Sequence, residues 1–126
     1  MINLAQIGML LLLSLFLILH IMIIVKIIPY TIVWGGRLKS DKEMIRFELY
    51  SIIINVLLIL VILEQESFVD IGIPGRFIPY LQWLMAGMFF FNSLGNANSK
   101  NRIERWFFTP VTIALTIFSC ILAYSN

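Results

Sequence analysis

Two side chains in this sequence combine ionisable chemistry with an apolar setting, His20 and Glu48. An imidazole changes charge near neutral pH, and a carboxylate held against it makes a proton- or cation-responsive pair. Both residues stand inside runs that carry almost no other charge. Ionisable groups in such runs are costly and are functional candidates by default. On a helix Glu48, Ser51 and Asn55 fall at i, i+3 and i+7 and share one stripe. Asn92 and Thr109 fall at the same level in later runs. The candidate polar cluster is therefore His20, Glu48, Ser51, Asn55, Asn92 and Thr109. The competing expectation pairs Glu48 with Arg46, Arg105 or Lys26 near a helix end and leaves His20 as a packing residue.

The elements that must position these groups follow from composition. Of 126 residues, 60% are hydrophobic and 13% charged, against about 45–50% and about 25% in soluble domains. A disordered chain, a disulfide scaffold and a typical soluble enzyme are excluded. The expected fold is all-α: one integral membrane four-helix bundle over residues 1–126, with short loops. Its apolar runs cover 4–28, 46–63, 77–95 and 106–124, each close to the ~20 residues that cross a bilayer. Ser40 to Glu43 reads as a capping box for the second helix, which starts before its apolar run, and Asn101 to Glu104 as an Asn-led one for the fourth. Pro110 predicts a kink or a late start in that fourth helix. Helix three is expected to end near Gly95. The first run leads to Pro29 and the Gly35-Gly36 pair, which are expected to end its helix.

Charge sorts by loop. Lys26, Arg37, Lys39, Lys42 and Arg46 flank the first connection, and Lys100, Arg102 and Arg105 the third. The second holds Arg76 alone, beside Glu64, Glu66 and Asp70. The positive-inside rule then places loops one and three in the cytoplasm of a cell-membrane protein, with both termini outside. Arg37, Lys39, Lys42, Arg46, Arg102 and Arg105 are candidates for contact with anionic lipid or a protein partner. Gly36 to Phe47 overlays Gly95 to Trp106 without a gap, which raises a 2+2 hairpin pseudo-repeat of the parallel type.

Thr109, Thr112, Thr116 and Cys120 recur at helical spacing, as do Gln82, Ala86, Ser93 and Ala97. Both stripes predict close helix contacts, with the threonines bonding across them. Trp83 is expected to pack between helices.

The net charge of +2 argues against a nucleic-acid partner. One histidine and one cysteine make no metal cage, and no cofactor is expected. No nucleotide loop, nucleophile elbow or metal-binding helix motif is present, so no catalysis is expected. Two functions remain open. One is a homo-oligomeric carrier or channel for a small solute, ion or proton, because four short helices leave little room for a path. The other is an accessory subunit that docks a larger membrane or cytoplasmic partner through the basic first loop and the Asn-rich third.

Overall fold

The structure is a computed structural model that describes residues 4–32, 38–65 and 68–125. Every regular element in them is helical: α1 (Leu4–Ile24), α2 (Asp41–Gln65), α3 (Ile78–Ala97) and α4 (Thr109–Ser125). Short 3₁₀ turns stand at Tyr30–Ile32 and Gly75–Phe77, and a π-helical turn, Glu104–Phe108, leads into α4. Three helical segments are long and apolar enough to cross a membrane: Leu4–Ile24, Asp41–Gln65 and Glu104–Tyr124. Helix α3 has spanning length but carries Gln82, Asn92, Ser93 and Asn96.

The helix ends follow from local chemistry. α1 stops at Ile24, earlier than its apolar run suggests. Lys26 takes a left-handed conformation (φ 67°). Its N–H donates to the Ile23 carbonyl at 3.0 Å, and that of Ile27 donates to Met22 at 2.8 Å. This is a Schellman ending with lysine where glycine is usual. Lys26 Nζ lies 2.7 Å from Asp41 Oδ2. That hydrogen bond and the charge of Asp41 hold the lysine pKa above its ordinary value. At the start of α2 the Ser40 hydroxyl accepts from the Glu43 N–H at 3.2 Å. Glu43 returns a bond to the N–H of Lys39, one residue before the cap.

The π turn answers Pro110. Proline lacks an N–H, and its ring meets the carbonyl four residues back. Widening the preceding turn lets the Thr109 N–H reach the Glu104 carbonyl instead, and the Thr109 hydroxyl donates to the same oxygen at 3.2 Å. π turns of this kind are frequent at functional sites.

Two hairpins form the bundle. α1 packs along α2, α3 packs along α4, and α1 against α4 joins the pairs. α2 and α3 barely touch. They are tied at one end, where Gln82 Nε2 donates to Gln65 Oε1 at 2.8 Å. The main core, with Met9, Leu13, Ile62, Met85, Leu115 and Leu122, fills the bundle toward that end. A second cluster, Ile23, Leu38, Met44 and Phe108, closes the opposite end between loop one and the start of α4. The outward faces are apolar as well: Leu11, Leu15, Ile53, Leu84 and Ile117 are each more than half exposed.

The small-polar stripes do not all act as the sequence suggests. Ser93, Thr112 and Thr116 donate to carbonyls four residues earlier in their own helices. Among the described threonine bonds, the contact between helices is Asn96 Nδ2 to Thr112 Oγ1, at 3.3 Å. Trp83 is half exposed and faces outward. An isolated polar side chain in apolar surroundings takes the nearest acceptor, which on a helix is its own backbone.

Gly8 sets the α1–α4 distance. A Cβ there would lie 2.5 Å from Phe118 Cε2. Gly8→Ala is expected to destabilise the bundle by about 1–3 kcal/mol, the usual range for overpacking. Combining it with Phe118→Leu should recover most of that loss, because the ring is what must move. Thermal unfolding of the four variants in detergent checks both outcomes.

Candidate functional site

Glu48 is fully buried, one turn inside the second core cluster. His20 Nδ1 lies 2.5 Å from Glu48 Oε2. The imidazole side chain retains 17% exposure. The two meet because α1 and α2 are antiparallel neighbours and their ends near loop one are level. Phe16, one turn before His20, sets its ring edge-on against Phe108 at 5.7 Å and fixes that side of the histidine.

The exposed face of His20 belongs to a cavity of about 970 Å³. It occupies the space where α2 and α3 part. Ser51 and Asn55 line it from α2, and Asn92 and Asn96 from α3. Glu104, Phe108 and Thr112 close it from the π turn and α4, and Lys100 stands at its edge. Apolar surface comes from Phe16, Leu58, Met88 and Phe89. Ile54 and Phe91, both strongly exposed, form a rim on the side of the bundle.

Of the six residues in the expected cluster, His20, Ser51, Asn55 and Asn92 share this wall. Glu48 stands behind His20, out of the cavity. Thr109 is not on the wall; its hydroxyl serves the π turn. Thr112 from the threonine stripe and Asn96 from the Asn-rich stretch also line the cavity, as do Glu104, Ser99 and Lys100, which the sequence did not single out as site residues. Glu104 is buried, and its carboxylate accepts from the Ser99 hydroxyl at 2.9 Å. Its spacing after Asn101 suggested a capping box. The Asn101 side chain does accept from the N–H groups of Ile103 and Glu104, at 2.9 and 3.3 Å. The reciprocal bond to the Asn101 N–H, however, comes from Ser99. Glu104 is thereby released toward the cavity.

The asparagines of loop three divide by role. Asn98 caps α3 by donating to the Leu94 carbonyl at 2.9 Å. α3 ends at Ala97 just before it, two residues past Gly95. Asn101 Nδ2 donates to the Thr31 carbonyl at 3.0 Å and ties loop three to loop one. Asn92 and Asn96 face the cavity.

Of the expected lipid or partner contacts, Arg37 lies outside the described residues. Lys39, Lys42, Arg46 and Arg102 are exposed at the loop-one and loop-three end. Arg105 is half-buried and donates to the Ser99 carbonyl at 3.4 Å. The matched residues of the expected repeat, Ser40 and Ser99, bond differently: Ser40 bonds at its own helix start, whereas Ser99 bridges Asn101 and Glu104.

No protein family, curated protein or solved structure matches the chain.

The pair's geometry has a direct energetic reading. A double-mutant cycle on His20→Phe and Glu48→Gln is expected to give a coupling of about 1 kcal/mol. This lies in the range of polar pairs between apolar helices, from about 0.6 to about 1.7 kcal/mol. Unfolding in mixed micelles measures it, and additive effects would mean that the two side chains do not act on one another.

Proposed function

We propose that the protein is a multispanning membrane carrier for a small solute, with His20 as the proton-accepting group of its binding cavity. All four helices cross the bilayer in this reading, including the more polar α3, whose asparagines face the cavity. The exposed apolar girdle supports it, because contiguous apolar surface of this extent is an association liability in water. Loops one and three, with the cations, lie on the cytoplasmic side.

The observation that carries the proposal is the sequence of contacts from Glu48 to His20 to the cavity. A buried carboxylate that accepts the Nδ1 proton orients the ring. The opposite nitrogen is left for a proton from the solute or from water. The cavity is confined to one half of the bundle, and the packed core occupies the other half. A channel needs a continuous path. A one-sided cavity suits a carrier, in which one hairpin rocks against the other and carries the opening across. The Gln65–Gln82 bond is the contact that such a motion would break. The lining residues named here all come from one chain.

The accessory-subunit reading has one observation in its favour. The bond from Asn101 to Thr31 draws the two basic loops together, so Lys39, Lys42 and Arg102 are exposed at one end.

Proteoliposomes test the carrier. Under an imposed pH gradient, a trapped pH-sensitive dye should report faster equilibration than in protein-free vesicles. His20→Gln and Glu48→Gln should slow it at least about tenfold, since a positioned proton-transfer group contributes about 10²–10⁴-fold. Equal rates in wild type and Glu48→Gln would overturn the proposal.

A further inference from the structure

The polar atoms of the cavity wall describe what it accepts. Asn55 is 7% exposed, stands midway along α2, and its Oδ1 has no hydrogen-bond partner among the described residues. A buried amide oxygen without a donor costs about 1–3 kcal/mol. Asn55 lines the cavity while Oδ1 itself is covered, so a donor in the cavity meets it once the amide turns. His20 makes the same request. With Nδ1 directed at the Glu48 carboxylate, the neutral ring presents Nε2 as an acceptor. Asn92 adds a third polar group: it is exposed, lines the cavity, and stands on α3 between Phe91 and Ser93.

Ser51, Asn96, Ser99, Glu104 and Thr112 add further polar wall, and the hydrocarbon lies on the side of the main core. Phe16, Leu58, Met88 and Phe89 surround the part of the cavity toward the main core. The volume, about 970 Å³, lies within the range of small-molecule sites, about 300–1,000 Å³. The opening is lateral: α2 and α3 meet at the Gln65–Gln82 end and part toward His20, with Ile54 and Phe91 at the rim. A solute that arrives there comes from the apolar phase around the bundle. Lys100 at the edge and the Glu104 carboxylate on the wall oppose one another, so neither sign of head group is favoured over a neutral one.

We infer that the cavity binds a neutral single-chain amphiphile bearing a hydroxyl group, a long-chain alcohol in its simplest form, which reaches it sideways between α2 and α3. The hydroxyl donates to Asn55 Oδ1 or to His20 Nε2, and the tail lies along Leu58, Met88 and Phe89. This assignment rests on the reading of the cavity as the solute site and gives that solute its chemical class.

The test uses the full chain in phosphatidylcholine nanodiscs, with no pH gradient. Three probes carry a photoreactive diazirine in a twelve-carbon chain: the primary alcohol, its methyl ether and the primary amine. Labelled residues are mapped by mass spectrometry. The alcohol should label Ile54, Leu58 or Met88, and an excess of unlabelled dodecanol should abolish that labelling. Asn55→Leu should weaken it about tenfold, the effect of losing one hydrogen bond. Leu58→Trp, which fills the tail region and leaves every polar group in place, should also abolish it. The ether, which lacks the donor, should label weakly and be insensitive to residue 55. Equal labelling by ether and alcohol, stronger labelling by the amine, or wild-type labelling in Leu58→Trp would each overturn the assignment. Specific labelling together with absent proton flux would sink the carrier reading alone. Proton flux with no specific labelling would sink this assignment alone.

Discussion

A carboxylate removed from water must be met by donors or give up its charge, since its desolvation costs several kcal/mol even after the protein relaxes. Glu48 is fully buried between apolar helices, and the neighbourhood of His20 follows from that constraint. The imidazole supplies a donor at 2.5 Å. Its position requires α1 and α2 to run antiparallel in one register. The edge-on contact of Phe16 with Phe108 then fixes where the fourth helix begins. Closing the loop-one end with Ile23, Leu38, Met44 and Phe108 leaves the cavity as the open side of the pair.

The second constraint is Pro110. Proline widens the turn before it, and Glu104, Phe108 and Thr112, at i, i+4 and i+8, line one cavity wall. The same local irregularity occupies Thr109 with the Glu104 carbonyl. The cavity thus owes its space to the parting of α2 from α3, with residues of the π turn on its wall. Regular helices in contact along their whole length would have filled it.

Much of the architecture is legible in the residue pattern. The apolar runs mark all four helices, and Ser40 and Asn101 mark two of their starts. The i, i+3, i+7 spacing of Glu48, Ser51 and Asn55 puts polar groups on a single stripe of α2, and counting depth along antiparallel helices levels His20 with Glu48. The end of α1 was not legible. Apolar composition continues to Ile28, whereas the helix stops where Lys26 turns left-handed, a conformation that no residue type announces except glycine and, more weakly, asparagine. Glu104 was hidden by its plausibility as a cap. The cavity itself was invisible, because it depends on two helices failing to touch, and hydropathy carries no information about pairwise distance between helices. The threonine stripe misled for a related reason: periodicity shows which residues share a face, and the choice between a neighbour's acceptor and the helix's own carbonyl depends on reach.

The central claim is that Glu48 holds the imidazole of His20 through Nδ1 and leaves Nε2 to the cavity. The ¹⁵N spectrum of selectively labelled His20 in lipid bilayers reads this directly, since the two ring nitrogens give distinct signals according to which carries the proton. Near neutral pH the wild type should show a protonated Nδ1, and that preference should disappear in Glu48→Gln. A ring protonated only at Nε2, or a spectrum indifferent to residue 48, would contradict the arrangement.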